Sequence, residues 1–195
     1  MIRSPDTPIR QLPSHPFGWV NPASQRSVLV AAVIMTFALM AVIVGTNRFL
    51  ITPASPMGMV SFQFAGTLAA AQAILASWNH GAQVYAALNL GVDCLYMVAY
   101  GAAIGLGCVL LARGLAGRFP LLAQVGIVVA WGVVGAVVLD AVENYALIRL
   151  LLGERHTLLP AIARWCAIPK YWLVLAGVSY LVCGGAVGLA CRTRI

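Results

Sequence analysis

Four apolar stretches, each long enough to cross a membrane, constrain the fold of this 195-residue chain more than any other feature. They cover residues 27–48, 86–112, 121–152 and 161–190, and a helix needs about 20 apolar residues to cross about 30 Å of hydrocarbon. Only 9% of the residues are charged and 62% are hydrophobic, whereas about 25% of a soluble domain is charged. These figures exclude soluble, disordered, fibrous, nucleic-acid-binding and disulfide-rich secreted proteins. We therefore predict an all-α integral membrane protein, a four-helix transmembrane bundle in the cell membrane.

The distribution of arginines predicts the orientation of the bundle. The connection 49–85 contains no Lys, Arg, Asp or Glu, although the net charge of the chain is +7. Because loops that carry Lys and Arg stay in the cytoplasm, both termini are predicted to be cytoplasmic. Residues 1–26 then form a cytoplasmic tail, and residues 27–191 form one membrane domain with a small extracytoplasmic cap of residues 49–85 and 153–169. The arginines that indicate this orientation are Arg3, Arg10, Arg26, Arg113, Arg118, Arg192 and Arg194.

The predicted cap contains two local patterns. Val60, Phe62 and Phe64 alternate with polar residues, which is typical of a short extended segment. Thr67 is a suitable N-cap for a short amphipathic helix over residues 68–78. The apolar face of that helix is expected either on the mouth of the bundle or among the lipid headgroups.

The positions of the charged residues predict one polar level near the outer end of the bundle. Arg48, Asp93, Asp140 and Lys170 each lie 20 to 22 residues along their stretch from an arginine at the predicted cytoplasmic end. At about 1.5 Å per residue, this distance is about one hydrocarbon thickness, so the four side chains are expected at a common depth. Glu143 follows Asp140 by three residues and therefore shares its helix face.

This polar level supplies the candidate functional residues. The candidate catalytic residues are Asp93, Asp140, Glu143 and Lys170. The candidate binding residues are Asn89, Tyr96, Tyr100, Asn144, Arg48, Gln63 and Trp78. A purely structural role, in which ion pairs fix the register of the helices, is an equally open interpretation. The five cysteines form no C-x-x-C pair and the three histidines match no metal spacing, so neither a metal nor another cofactor is expected.

Four short patterns within residues 58–180 stand out: F-Q-F-A-G-T at 62–67 followed by Trp78, Asp93 with Tyr100, L-D-A-V-E-N at 139–144, and Cys166 with Lys170. In these patterns the chain resembles a group of small bacterial multi-pass membrane proteins without an assigned activity. The resemblance implies a common architecture with a polar cluster and supplies no reaction. Members of the group carry an acid where this chain has Gln63, which argues against a catalytic carboxylate at that position.

Two functions remain open at this point. In the first, the protein is a binding or accessory membrane protein whose outward-facing polar pocket holds a lipid-like amphiphile or a partner helix. In the alternative, it is an intramembrane acid–base enzyme, an isomerase or cyclase of isoprenoid or sterol-like substrates. Its carboxylates would then move protons, and aromatic side chains such as Trp172 would face a cationic intermediate. The expected partners are the lipid bilayer, an amphiphilic ligand and a second membrane protein or a second copy of the chain, and no nucleic acid is expected.

Overall fold

The computed structural model describes residues 14–192, so residues 1–13 of the predicted tail and Arg194 lie outside the described residues. The helices are α1 (Gln25–Asn47), α2 (Met59–Gln63), α3 (Leu68–Ser77), α4 (His80–Leu115), α5 (Pro120–Leu151) and α6 (Leu158–Arg192). Four of them, α1, α4, α5 and α6, are long and apolar enough to cross a membrane. Residues 14–192 contain no β-strand beyond an isolated bridge between Thr52 and Ser55. The prediction of an all-α chain with four such helices is therefore confirmed.

Close packing of α4, α5 and α6 forms the centre of the bundle, and α1 packs on its side against α4. Glycines permit these close contacts. A Cβ atom at Gly101 would lie 2.5 Å from Cγ2 of Val137 on α5, and one at Gly177 would lie 2.5 Å from Cγ2 of Ile104 on α4. Small residues therefore bring the helices of one chain together, as they do in many membrane bundles.

Two apolar clusters occupy the two ends of the bundle. At the hairpin end, where the turn 116–119 joins α4 to α5, buried residues such as Leu106 and Ile127 pack together. At the opposite end, residues of α4, α5 and α6 pack against the connection between α1 and α4, which we call the 48–79 segment. The buried polar residues Asp140, Glu143, Asn144 and Lys170 lie between these two clusters along α5 and α6.

Residues 14–24 belong to the predicted tail, yet they pack against the hairpin half of the bundle. The Phe17 ring is buried, and a Cβ atom at Gly105 would lie 2.8 Å from its Cε2 atom. Nη2 of Arg113 lies 2.6 Å from Nε2 of His15. Burial and the Arg113 guanidinium lower the pKa of His15, which favours a neutral ring whose Nε2 accepts this hydrogen bond.

The 48–79 segment contains a helix where the sequence predicted an extended segment, so that prediction was wrong. Residues Met59–Gln63 form α2, and its buried residues Met59, Phe62 and Gln63 have helical i, i+3, i+4 spacing. Alternation over five residues does not distinguish a strand from one turn of helix. Gly58 precedes α2 with φ of 62°, a conformation that favours glycine.

The predicted short helix is present as α3. Its N-cap is Thr67, whose Oγ1 accepts a hydrogen bond from Ala70 N at 3.2 Å. The buried face of α3 includes Ala71 and Ile74, which belong to the same apolar cluster as Leu147 of α5. This face therefore packs on protein side chains.

The long helices extend further into the predicted cap than their apolar stretches indicate. The side chain of Asn79 caps α4, because its Oδ1 accepts a hydrogen bond from Ala82 N at 2.8 Å. Residues 80–85 therefore form the first turns of α4, and α6 begins at Leu158, three residues before its predicted start. The polar cap at Asn79, which hydropathy alone does not weigh, places the start of α4.

Candidate functional site

A cavity of about 310 Å³ lies between α1, α2, α4, α5 and α6. Its walls include the apolar side chains of Met40, Ile43, Val44, Met59, Leu90 and Val174. Its polar surface includes Asp93, Tyr96, Tyr100, Asp140, Lys170 and Tyr171. Apolar walls around a few convergent polar groups are characteristic of small-molecule sites.

The central feature of the polar surface is Lys170 of α6, which pairs with two carboxylates of α5. Its Nζ lies 2.8 Å from Oδ1 of Asp140 and 2.7 Å from Oε2 of Glu143. All three side chains are buried. The three-residue spacing of the two acids turns both carboxylates toward α6, so one ammonium reaches both.

Hydrogen bonds extend this cluster to α4. The Tyr100 hydroxyl donates to Oδ2 of Asp140 at 2.9 Å. Asn144 of α5 donates from Nδ2 to Oδ2 of Asp93 at 2.7 Å. The structure therefore brings together Asp93, Asp140 and Lys170, which the sequence placed at one depth, with Glu143, Tyr100 and Asn144.

The cluster contains more hydrogen-bond acceptors than its own donors can satisfy. Within residues 14–192, Asp93 forms no ion pair with a Lys or Arg, and Lys170 is shared by the other two acids. Oε1 of Glu143 and Oδ1 of Asn144 are buried, and among the described residues neither has a hydrogen-bond partner. Oε2 of Glu143 is close to the Lys170 ammonium but lacks hydrogen-bond geometry. Buried polar atoms are usually hydrogen bonded, but Glu143 and Asn144 do not line the cavity, so Asp93 is the residue through which a bound group could donate to the cluster.

Asn89 joins α4 to α1 beside the cavity. Its Nδ2 donates to Oγ1 of Thr46 at 2.8 Å and to the carbonyl oxygen of Ile43 at 3.0 Å. Asn89 itself is buried and lines the cavity. It therefore fixes the wall that α1 contributes.

The helix α2 crosses the end of the cavity and is tied to both sides. Oδ1 of Asn47, the last residue of α1, accepts a hydrogen bond from Met59 N at 2.8 Å. On the other side, the Tyr171 hydroxyl of α6 donates to Oε1 of Gln63 at 3.0 Å. Gln63 thus contributes to the site by holding α2 against α6.

Four predicted site residues do not line the cavity: Glu143 and Asn144 belong to the buried cluster next to it, and Arg48 and Trp78 lie elsewhere. Arg48 is exposed and does not line it. Trp78 is 2% exposed, and its Nε1 donates to the carbonyl oxygen of Leu50 at 2.9 Å within the apolar cluster of the 48–79 segment. Trp172, expected to face a cationic intermediate, is 67% exposed on α6.

The sequence reasoning missed Tyr171 and the contribution of α1. Tyr171 follows Lys170 directly, and the Lys170 ammonium lies 5.1 Å from the centroid of its ring. The position of Tyr171 next to Lys170 in the sequence could have been used to predict it as a site residue. The sequence did not indicate that apolar residues of α1, such as Ile43 and Val44, line the cavity, because they lie in a helix that is apolar on all sides.

Comparisons with protein-family models, with curated proteins and with solved structures give no match for this chain. Among residues 14–192, no group of three or more His, Cys, Asp or Glu side chains is arranged to hold a metal ion. The cavity and its charges are therefore the observations from which a function can be inferred.

Proposed function

We propose that the protein binds a lipid-like amphiphile in the cavity between α1 and α6. The observation that carries the proposal is the division of the cavity into an apolar wall and a buried charged surface. Val44 and Val174 suit a hydrocarbon chain, and Asp93, Asp140 and Lys170 suit a polar head. The volume of about 310 Å³ lies at the small end of the ~300–1,000 Å³ typical of ligand sites, so the head group and the first part of a chain would fill it.

Retention of an amphiphile through purification tests this function. We expect native mass spectrometry of the protein extracted with its membrane lipids to show one tightly retained small molecule. Val44→Trp should strongly reduce retention, because Val44 lies at the rim of the cavity and an indole there would obstruct the opening. The matched control is Val33→Trp, on the same helix but away from the cavity lining. Equal retention by wild type and both variants would contradict the proposal.

We also propose that the cavity lies in the outer half of the membrane, with the 48–79 segment as an extracytoplasmic cap and both termini in the cytoplasm. The support is the absence of Lys, Arg, Asp and Glu from residues 49–85, together with Arg113 and Arg118 at the hairpin end. Positively charged loops are retained in the cytoplasm.

Cysteine labelling tests this orientation. In a variant without the native cysteines, Met57→Cys should react on intact cells with a membrane-impermeant maleimide, because Met57 is exposed at the cavity end. Gly117→Cys, exposed in the hairpin, should react only after the cells are permeabilised. The reverse pattern would invert the proposed topology.

An intramembrane acid–base enzyme, an isomerase or cyclase of isoprenoid or sterol-like compounds, is the second candidate function. It is favoured by the hydrogen bond from Tyr100 to Asp140, which continues to Lys170 and places linked proton donors and acceptors on the cavity surface. Asp140, which lines the cavity, would exchange the proton with the bound molecule, with Asp93 as its partner. Conversion of the retained amphiphile to an isomer on incubation with the protein would favour this candidate, and unchanged recovery would favour binding alone.

A further inference from the structure

The cavity opens sideways between α1 and α6. Both helices pack on α4 and contribute residues to the cavity, but they have few contacts with each other. Two residues that line this gap, Val44 and Tyr171, are 58% and 44% exposed, so the rim lies on the outer surface of the bundle. The helix α2 crosses the end of the gap and is hydrogen bonded to Asn47 and Tyr171. The gap therefore opens toward the side of the bundle and not along its axis.

A sideways opening between two membrane-crossing helices meets the acyl chains of the bilayer. Both α1 and α6 are long and apolar enough to span the hydrocarbon. Met40 and Val44 on one side and Val174 on the other are apolar, so a hydrocarbon chain can lie in the gap without exposing polar groups. An amphiphile can therefore reach the cavity from within the membrane.

The charges at the inner end of the gap select the head group. The cluster contains three carboxyl groups and one ammonium, and Lys170 already pairs with Asp140 and Glu143. Asp93 lines the cavity, and Asn144 donates to only one of its oxygens. Glu143 and Asn144, which hold the unpartnered buried acceptor atoms, do not line the cavity, so the acid whose oxygen a bound head group can meet without competing with Lys170 is Asp93. A protonated amine donates hydrogen bonds and accepts none, so it suits the oxygen of Asp93 to which Asn144 does not donate.

Two tyrosines add a second feature that suits a cation. Asp93, Tyr96 and Tyr100 have i, i+3, i+7 spacing, which places them on one face of α4. The two rings have their centroids 5.2 Å apart, and both line the cavity beside Asp93. The negative faces of aromatic rings attract cations.

We propose that the occupant is a cationic amphiphile with a protonated amine head, which enters from the membrane between α1 and α6 and seats the ammonium against Asp93 and Tyr96. The proposal rests on the amphiphile-binding function proposed above and specifies the charge of the ligand and its route. The hydrocarbon chain lies between α1 and α6, beneath α2.

Photo-crosslinking with matched probes tests both the charge and the route. Three probes share a dodecyl chain with a terminal diazirine and differ only in the head: an amine, an alcohol and a carboxylic acid. With the protein in phosphatidylcholine nanodiscs, the amine probe should label α1 and α6 at the gap, near Val44 and Tyr171, at least about tenfold more than the other two. Outward-facing residues elsewhere, such as Leu95 and Val138, should show no preference among the probes.

Charge removal supplies the control. Asp93→Asn should reduce gap labelling by the amine probe to the level of the alcohol probe. Glu154→Gln removes the same charge outside the cavity, where Glu154 pairs with Arg149, and should leave the preference unchanged. The ratio of amine to alcohol labelling in the wild type tests the proposal even if Asp93→Asn does not fold.

The outcomes separate this proposal from the function on which it rests. Equal labelling of the gap by the amine and alcohol probes would overturn the cationic head and leave amphiphile binding intact. Labelling of Leu95 as strong as that of Val44 with every probe would overturn the lateral route. A gap that no probe labels would overturn both this proposal and amphiphile binding.

Discussion

Replacing Lys170 with Met should lower the free energy of unfolding by about 3–5 kcal/mol, the usual cost of removing one partner from a buried ion pair. Lys170 is the ammonium that lies 2.8 Å from Asp140 and 2.7 Å from Glu143. Without it, two buried carboxyl groups would remain next to each other on α5 with no cation between them. The midpoint of unfolding by sodium dodecyl sulfate measures the effect.

Two further variants make this prediction specific. Arg164→Met removes a positive charge from an exposed position on the same helix and should leave the midpoint nearly unchanged. Adding Asp140→Asn and Glu143→Gln to Lys170→Met should recover most of the loss, because the uncompensated carboxylates are then gone. A Lys170→Met protein that unfolds at the wild-type midpoint would mean that the ion pairs contribute little to stability.

The number and type of the long helices could be predicted because a bilayer allows few alternatives. A chain that crosses hydrocarbon must satisfy its backbone hydrogen bonds within each segment, so an apolar stretch of sufficient length becomes a helix. The regular rise of a helix also made it possible to place Asp93, Asp140 and Lys170 at one depth by counting residues. The structure brings these three residues into one cluster.

Other features depend on contacts that the sequence pattern does not encode. The side of α1 that lines the cavity was not predictable, since α1 is apolar all round and a lipid-facing valine resembles a cavity-facing one. Residues 14–24 are rich in turn-forming residues and have no helical period, yet Phe17 packs beside Gly105 because the glycine leaves space for its ring. Arg48 was predicted at the same depth as Asp93, Asp140 and Lys170, but its side chain is exposed.

Trp78 shows why a candidate binding residue is difficult to recognise from sequence. A tryptophan near the end of a membrane helix suits a ligand, a headgroup or a core equally well. The deciding facts are tertiary: its ring meets Phe62 edge-on with centroids 5.4 Å apart, and its Nε1 donates to the carbonyl oxygen of Leu50. Trp78 thus links the start of the 48–79 segment to α2.

Truncating the side chain of Trp78 should therefore lower the stability of the protein. We expect Trp78→Ala to lower the free energy of unfolding by about 3–5 kcal/mol, as is usual for large buried aromatic residues, and to loosen the 48–79 segment first. Trp78→Phe keeps most of the packing and loses the hydrogen bond to the carbonyl oxygen of Leu50. It should therefore lower the free energy of unfolding by only about 1 kcal/mol. The measurements are the unfolding midpoint and hydrogen exchange of the amides in α2 and α3.

The control for this prediction is another tryptophan of the same protein. Trp172 is 67% exposed, so Trp172→Ala should change the midpoint little and leave hydrogen exchange in α2 and α3 at its wild-type rate.

In Trp78→Ala, faster hydrogen exchange in α2 should be accompanied by weaker ligand retention, because α2 lines the cavity through Met59 and Gln63. Weaker retention with unchanged exchange and stability would instead assign Trp78 a direct contact with the ligand, contrary to its place in the apolar cluster.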